Sequence, residues 1–275
     1  MTKLNPDIPD LIPVESLESD TIFKKGFRNV EIFKSLVKDF TGVALEIDEV
    51  ENDKAFDKSI GKVKAKFDLF AEDKKNRIIV EAQHANYSDN FERFYYYHQV
   101  ATVETIASSK NYGFPKTILT LVFFTNRHSP VFGKNIFVHD ASMRYLMDDK
   151  VAEKIFPHKH RLFFIFTKDP EGDLDIPEEC REWIKAIADT LTESVYEDSY
   201  NNEMIKKLFK IISKSETTPE ERAKMKEEYN QAEFERKTRI ESRIEIAHNF
   251  KTLGTVSDEQ IANATGLTLK EVEEL

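Results

Sequence analysis

A chain of 275 residues with a formal net charge of −10 is long enough for one large domain, or for a core domain with a helical tail. Its single cysteine, Cys180, excludes an internal disulfide and a cysteine-based metal cluster, and the acidic balance argues against indiscriminate binding to polyanions. No apolar run approaches the roughly 20 residues of a membrane-spanning helix, and the first residues lack the pattern of a signal peptide, so we expect a cytoplasmic protein without a membrane partner.

The first part of the chain predicts an extended lead-in followed by one long helix. Residues 1–19 are acidic and contain several prolines, which favours an extended segment without regular structure. From Asp20, apolar residues recur every three or four positions up to Gly42, the pattern of an amphipathic helix that Asp20 can cap. We expect a short strand at 43–47, and then a polar, acidic loop through Ser59.

The next segment predicts a β-hairpin that carries three polar side chains. Residues 63–71 alternate between apolar and polar, and a β-branched run, 78–80, follows a polar turn, as expected for two paired strands. Asp68 lies on the first strand, and Glu81 and Gln83 lie on the second. Glu81 and Gln83 are two positions apart, so they project from one face, and antiparallel pairing can place Asp68 opposite them.

The middle of the chain predicts the rest of an α/β core. A helix is expected at 91–110, and apolar or β-branched runs predict strands at 117–126, 135–140 and 160–168. The run at 117–126 is mostly apolar at both odd and even positions, which is typical of a strand buried on both faces. Strands combined with long helices predict an α/β or α+β core with helical cover.

A shift toward charged helical segments after Asp169 suggests a boundary at that point. We therefore predict a lead-in at 1–19, a core domain at 20–168 and a helical C-terminal region at 169–275. Within that last region, a long charged helix is expected at about 218–253. Two short helices, each opened by a capping-box pattern, are expected to follow it up to the last residue.

Asp68 and Glu81 have the chemistry of a metal site. Hydrolysis of a phosphodiester bond is assisted by a metal ion, and Mg²⁺ is usually held by one or two carboxylates together with waters. Two carboxylates on half-buried strands are costly without a cation, and the carbonyl of Ala82 can add an oxygen ligand. The competing interpretation is that these acids are solvated ends of a hairpin, paired with Lys66 or Arg93.

Four short patterns mark the chain, namely Asp68, Glu81-Ala82-Gln83, Phe91-x-Arg93-x-x-Tyr96-Tyr97 and Asp20-x-x-Phe23-Lys24. Their order and spacing resemble those of the PD-(D/E)XK nuclease family transposases, which are also described as recombination-promoting nucleases. The strand at 117–126 and the C-terminal tail resemble the same family, so the resemblance covers most of the chain. The segment from Asp68 to Tyr97 is its most specific part.

The resemblance implies a restriction-endonuclease-like core, with a mixed central sheet flanked by helices and a metal-dependent DNA nuclease site. Mg²⁺ would be the cofactor, with Mn²⁺ as a substitute, and DNA would be the partner. Asp68 and Glu81 would be the metal-binding carboxylates. Gln83 stands where the wider superfamily has lysine; its amide can hold a water or a phosphate oxygen, but it cannot supply charge.

Several further residues each keep two interpretations. Lys66 can contact a phosphate or be an ordinary surface lysine, and Arg93 can contact DNA or brace Glu81. Asp20 can be a third acid of the site or the cap of its helix. The aromatic run 95–97 can stack on a base or pack in the core.

Two functions follow from these observations. The first is a metal-dependent DNA endonuclease acting in recombination or mobile-element processes. The second is a nuclease-fold protein with weak or no catalysis that binds nucleic acid or other proteins. The last predicted helix carries one lysine against three glutamates, which would repel phosphates. We therefore favour a protein contact there, such as a homo-oligomer interface, over a DNA-binding helix-turn-helix.

Overall fold

The computed structural model describes residues 11–56, 64–84, 91–106, 112–147, 155–157 and 159–275. The chain divides into two compact units, one that ends at Arg222 and one that begins at Ala223. The elements of the first unit follow in this order: β1 (Ile12–Pro13), α1 (Asp20–Phe27), α2 (Val30–Thr41), β2 (Glu51–Ala55), β3 (Lys66–Glu72), β4 (Asn76–Gln83), α3 (Phe91–Val103), β5 (Thr117–Phe124), β6 (Ile136–Asp140), β7 (Arg161–Phe166), α4 (Glu178–Asp189), β8 (Ser194–Val195) and α5 (Glu203–Ile211). A long helix, α6 (Pro219–Leu253), begins in this unit and continues into the second, where α7 (Asp258–Thr265) and α8 (Leu269–Glu273) follow.

The centre of the first unit is a six-stranded mixed sheet with the strand order β2-β3-β4-β5-β7-β6. The hairpin strands β3 and β4 pair antiparallel, whereas β4, β5 and β7 run parallel to one another. The two edge strands, β2 and β6, are antiparallel to their neighbours. The predicted hairpin and the three strands predicted after it are therefore confirmed, and the sheet is mixed and flanked by helices as the resemblance implies.

Aromatic side chains attach a helical layer to each face of the sheet. On one face, the Phe123 ring of β5 lies 6.5 Å from Phe27 of α1 and 5.4 Å from Phe40 of α2, measured between ring centroids. On the other face, Phe94 of α3 lies 5.8 Å from Phe124. Neighbouring residues of β5 thus point to opposite layers, and the strand is buried on both faces.

A buried arginine ties α3 to the hairpin. Arg77 of β4 donates hydrogen bonds to the Ala101 carbonyl at the end of α3 and to the Glu104 carboxylate just beyond it. It also binds Glu72 on β3 at 3.0 Å. Because the charge is buried but paired, it costs less than a lone charge would, and the helix is held against the two strands.

Helices α4 and α5 pack on α2 and α1 within the first unit. Trp183 of α4 donates a hydrogen bond from Nε1 to Asp39 of α2 at 2.7 Å. A methyl group added at Gly26 would collide with the end of the Leu208 side chain of α5, so α1 and α5 approach closely here and Leu208 would have to shift to admit a larger residue. The segment after Asp169 therefore begins with helices that belong to the first unit, and the compact units divide at Arg222 and not at residue 168.

The predicted first helix is in fact two helices. It breaks at Arg28, and Asn29 caps α2 by accepting a hydrogen bond from the Ile32 amide. Ser19, and not Asp20, is the N-cap of α1. The apolar period continues across the break because both helices bury the same side, so periodicity alone could not reveal it. The end predicted at Gly42 is confirmed, with φ of 74° in the left-handed region.

Two predictions on either side of this pair of helices also need correction. The strand expected at 43–47 is absent, and the strand of this region is β2, inside the expected loop. The residues of β2 are mostly polar and part-exposed because the strand forms a sheet edge, so it lacks an apolar signal. The predicted lead-in includes β1, which pairs with β8, whereas residues 1–10 lie outside the described residues.

The helix predicted at 91–110 is shorter in the structure. α3 ends at Val103, and residues 104–106 continue as a turn. The last predicted residues, 107–110, lie outside the described part of the chain.

The second unit holds most of the 35-residue helix α6 and the two short helices. The long helix matches its predicted extent closely, and both predicted capping boxes are present, at Ser257 and Thr268. A small apolar cluster joins Ala247 of α6 to Ile261 and Val272. No helix in the described ranges is long and apolar enough to cross a membrane.

Candidate active site

The candidate site lies where β3 and β4 separate at one end of the hairpin. Their ladder reaches the pair Leu69 and Val80, and the next pair in the same register would be Asp68 and Glu81. At this pair, the carboxylate side chains of Asp68 and Glu81 accept hydrogen bonds from the backbone amides of the opposite strand, in place of the backbone carbonyls. Glu81 Oε1 accepts a hydrogen bond from the Asp68 amide at 3.2 Å, and Asp68 Oδ2 accepts one from the Ala82 amide at 3.0 Å. The structure thus brings Asp68 and Glu81 together, as the hairpin register predicts.

The two carboxyl groups are held in a poorly solvated place. Glu81 is only 1% exposed, and this burial, with the negative charge of Asp68, raises the pKa of Glu81 well above its usual value. Burial also raises the pKa of Asp68, although the Lys24 charge and the hydrogen bond from Ala82 oppose the shift. Adjacent buried carboxyl groups cannot both ionise cheaply, so the site favours a shared proton or a bound cation.

Lys24 of α1 reaches the same place, although the sequence analysis gave it no role. Its Nζ lies 2.8 Å from Asp20, 2.9 Å from Asp53 and 3.4 Å from Asp68, and its side chain is 12% exposed. Burial alone would lower the pKa of Lys24, but the hydrogen bond to Asp20 and the nearby carboxylates outweigh it and raise this pKa. A permanently charged ammonium group therefore adjoins Asp68.

Asp53 is the second residue that the sequence analysis missed. The register of β2 and β3 pairs Asn52 with Leu69 and Lys54 with Phe67, so Asp53 stands opposite Asp68. Its φ of 56° lies in the left-handed region, which is uncommon for a residue other than glycine. Three acids therefore follow one another across three neighbouring strands, Asp53 on β2, Asp68 on β3 and Glu81 on β4.

The structure shows where Asp20 and Lys66 lie, each of which had two possible roles in the sequence. Asp20 does not cap its helix, and instead binds Lys24 at the site. Lys66 pairs with Asp53 at 2.9 Å, and its side chain is 63% exposed, so it is a surface lysine that lies next to the site. Whether it also contacts a phosphate stays a prediction.

Arg93 lies on the α3 side of the site. Its guanidinium group stacks 5.2 Å from the Tyr97 ring centroid. Burial raises the pKa of Glu81, and the Arg93 charge opposes this rise without overcoming it. Tyr96 and Tyr97 pack against the core cluster that contains Phe67. The packing interpretation therefore holds for these two tyrosines, whereas Tyr95 remains exposed.

Gln83 is the last residue of β4. It is two positions beyond Glu81 and therefore shares its strand face. Its backbone carbonyl lies 3.5 Å from the Thr125 hydroxyl, which anchors the end of the strand to the residue that follows β5. The role of its side-chain amide stays a prediction.

Asp68 and Glu81 fit a divalent ion as a two-carboxylate site. Among the described residues, no three or more His, Cys, Asp or Glu side chains form a group that could hold a metal. Mg²⁺ does not need such a cage, since it commonly binds one or two carboxylates and keeps several waters. The Ala82 amide is engaged by Asp68. The role of the Ala82 carbonyl as a ligand stays a prediction.

The sequence matches one known protein family over most of its length. The family model described as PD-(D/E)XK nuclease family transposase matches residues 20–243. The chain belongs to this family. Neither the curated proteins nor the solved structures contain a match.

In this PD-(D/E)XK family member, the matched span contains the whole six-stranded sheet and every residue of the site. The restriction-endonuclease-like fold that the resemblance implies is thereby confirmed. The resemblance implies that Gln83, on β4, stands at the position of the superfamily lysine, and this equivalence stays a prediction. A different lysine, Lys24, approaches the carboxylates from α1.

Replacement of Glu81 by glutamine is expected to stabilise this PD-(D/E)XK protein in metal-free buffer. An unfolded glutamate titrates near pH 4.3, and the folded pKa of Glu81 is raised. Between the two values the folded state keeps a proton that the unfolded state has lost, so wild-type stability falls as pH rises through this window. Glu81→Gln removes this loss and still offers an oxygen to the Asp68 amide.

Urea unfolding between pH 4.5 and 8 measures this effect. The stability gained by Glu81→Gln over wild type should grow with pH and then level off above the folded pKa. Asp140→Asn, on the opposite edge strand β6, is the control for loss of one acid from the sheet. If the free energies of unfolding of Glu81→Gln and wild type differ by the same amount at every pH, the pKa of Glu81 is not raised in the folded protein.

Proposed function

We propose that this PD-(D/E)XK family member is a divalent-metal-dependent DNA endonuclease that hydrolyses phosphodiester bonds. The observation that carries the proposal is the pairing of the buried Glu81 carboxyl group with the part-buried Asp68 carboxyl group, in the opening between β3 and β4. An arrangement that costs stability in the absence of a cation is typical of a functional site. Membership of a nuclease and transposase family supports DNA as the substrate.

In the proposed mechanism, Asp68 and Glu81 would hold Mg²⁺, for which Mn²⁺ would substitute. When bound, the ion would lower the pKa of a water molecule and neutralise charge that develops on the phosphate. The amide of Gln83 orients the attacking water or a phosphate oxygen by hydrogen bonding. The amides of Asp68 and Ala82 fix the direction of the two carboxylates, so little reorganisation is needed before reaction.

Two cationic residues flank the acids and are proposed to guide DNA. Lys66 lies two positions before Asp68 on β3 and is largely exposed, and Arg93 lies in the first turn of α3. Contacts of this kind position the nucleic acid through its phosphates and carry no sequence information. The overall charge of −10 then limits binding elsewhere on the surface.

The test is nicking of a supercoiled plasmid by the wild-type protein in Mg²⁺ or Mn²⁺. We expect cleavage by wild type and by the control Asp140→Asn, but none by Glu81→Gln and none in EDTA. Glu81→Gln is expected to be more stable than wild type, and its urea unfolding curve shows directly whether a loss of cleavage comes from unfolding. Equal cleavage by wild type and Glu81→Gln would contradict the site assignment.

A second function has one specific observation in its favour. The Lys24 ammonium group already supplies a positive charge beside Asp68, and Gln83 supplies none, so the fold can be maintained without a metal. In that case the protein would bind nucleic acid or another protein without cleaving DNA. Its signature is DNA binding in a gel-shift assay that survives Asp68→Asn, combined with a wild-type protein that never nicks the plasmid.

The biological setting is also part of the proposal. The family is one of transposases, which supports a role in recombination or mobile-element processes. A contact between copies through the C-terminal helices stays a prediction, as does a cytoplasmic location. Exposed aromatic residues on α6, including Tyr229 and Phe234, are consistent with a protein contact in that region.

A further inference from the structure

The Lys24 ammonium group has two firm partners and one loose one. It donates hydrogen bonds to Asp20 at 2.8 Å and to Asp53 at 2.9 Å, whereas Asp68 Oδ1 lies at 3.4 Å. A lysine has three N–H donors and no acceptor. The two short contacts, to Asp20 and Asp53, therefore set the position of Nζ. The third N–H donor, which points toward Asp68, makes the longest and weakest contact of the three.

Both of these partners belong to regular secondary structure of the first unit. Asp20 is one turn before Lys24 on α1, and Asp53 is on the edge strand β2, opposite Asp68 in the register. The left-handed backbone of Asp53 is of the kind that persists at functional sites when the surrounding structure requires it. Helix α1 is itself packed against the sheet by Phe27 and Phe23.

We propose that Lys24 is the catalytic cation of this site, and that its ammonium group donates a hydrogen bond to a non-bridging oxygen of the scissile phosphate. This inference rests on the proposed nuclease function. A phosphate that approaches Asp68 also approaches Lys24 Nζ, because the two groups are 3.4 Å apart. Lys24 thereby supplies from α1 the positive charge that Gln83 cannot supply from β4.

The step is an ordinary hydrolysis. The oxygen of a water molecule forms a bond to phosphorus, the bond from phosphorus to the leaving sugar oxygen breaks, and that oxygen takes a proton from solvent. The proton lost by the attacking water goes to solvent, and Lys24 keeps all of its protons. Its contribution is to stabilise the negative charge on the phosphoryl oxygens in the transition state.

The simpler interpretation is that Lys24 only clamps α1 to the sheet. The neighbouring Lys25 makes a clamp of that kind outside the site, with hydrogen bonds to the Glu216 carbonyl at 2.6 Å and to Glu221 at 2.8 Å. The two lysines are adjacent on one helix and similarly buried. Lys25→Met is therefore a matched control for the loss of a buried ion pair on α1.

The experiment measures two quantities for each full-length variant: the single-turnover rate of DNA cleavage in Mn²⁺, and the affinity for Mn²⁺ alone by calorimetry. Lys24→Met should lower the rate by at least about 100-fold. It should not weaken Mn²⁺ binding, because the substitution removes a positive charge beside Asp68 that repels the cation. Lys24→Arg should restore much of the rate, because it keeps the charge. Lys25→Met should cleave at the wild-type rate.

Asp53→Asn keeps the Lys24 charge and loosens its position, and asparagine tolerates a left-handed backbone. The single-turnover rate of this variant should fall by about tenfold. If Lys24→Met does not fold, the rate of Asp53→Asn alone tests whether the position of Lys24 matters for cleavage. The inference is overturned by wild-type rates in both variants. It is also overturned by parallel losses of rate and Mn²⁺ affinity in Lys24→Met, which would indicate a structural role. A wild-type protein that cleaves no DNA overturns the proposed function itself, and this inference with it.

Discussion

Asp68→Asn is expected to lower the single-turnover rate of DNA cleavage by at least about 10³-fold, since loss of metal assistance costs several kcal/mol and each 1.4 kcal/mol is about tenfold in rate. Asparagine has nearly the shape of aspartate and can still accept the hydrogen bond that the Ala82 amide donates to Asp68. The substitution therefore removes the charge while the opening between β3 and β4 is kept. The loss should appear in the single-turnover rate at saturating protein, where all of the DNA is bound and the rate reports the cleavage step.

The control for this prediction is Asp140→Asn, which removes an acid from the opposite edge strand of the same sheet and should leave the rate unchanged. Gel-shift measurements in Ca²⁺ should show that Asp68→Asn still binds DNA, because Lys66 and Arg93 are untouched. Cleavage by Asp68→Asn within about tenfold of wild type would mean that another group holds the metal or that the reaction needs none.

Phe123→Ala is expected to destabilise the first unit by about 3–5 kcal/mol, the usual cost of truncating a buried phenylalanine. Phe123 is fully buried, and its ring contacts Phe23, Phe27 and Phe40 on the two helices that cover this face of the sheet. The cavity left by the ring would border both helices. A cost of this size is a large fraction of the stability of an ordinary domain.

Urea unfolding followed by circular dichroism measures this loss, with Phe132→Ala as the control. Phe132 is fully exposed, so its truncation should change the free energy of unfolding by less than about 0.5 kcal/mol. Similar values for the two variants would show that β5 does not hold α1 and α2 as described. Because α1 carries Lys24, Phe123→Ala should also lower cleavage in the folded fraction.

The hairpin and the buried strands were predictable because their side-chain pattern and their burial have the same cause. β5 is buried on both faces, so its sequence is mostly apolar. The first residues of β3 alternate because Lys66 is exposed, Phe67 is buried and Asp68 is part-exposed. Antiparallel pairing of the two predicted strands allows Asp68 to lie opposite Glu81, and the register of β3 and β4 in the structure, extended by one pair, places it there. What the sequence could not show is that the two carboxyl groups replace the backbone ladder at that end.

The edge strand β2 and its contribution to the site were not predictable in this way. A strand at a sheet edge keeps much of its surface in water, so its residues, Glu-Asn-Asp-Lys-Ala, carry no apolar period. Asp53 was therefore assigned to a loop. The Asp20-x-x-Phe23-Lys24 pattern contained the only available signal for Lys24, an acid and a lysine four apart on one helix. The contacts of Lys24 with Asp53 and Asp68 join separate elements of the fold, so a local sequence pattern could not predict them.

The most direct test of the central claim is calorimetric titration of Mn²⁺ into the metal-free protein, with wild type, Asp68→Asn, Glu81→Gln and the control Asp140→Asn. The claim is that Asp68 and Glu81 together hold one divalent ion. We predict that wild type and Asp140→Asn bind Mn²⁺ equally, and that each of the other two substitutions weakens binding by at least about tenfold, or about 1.4 kcal/mol. Unchanged Mn²⁺ affinity in both Asp68→Asn and Glu81→Gln would contradict it.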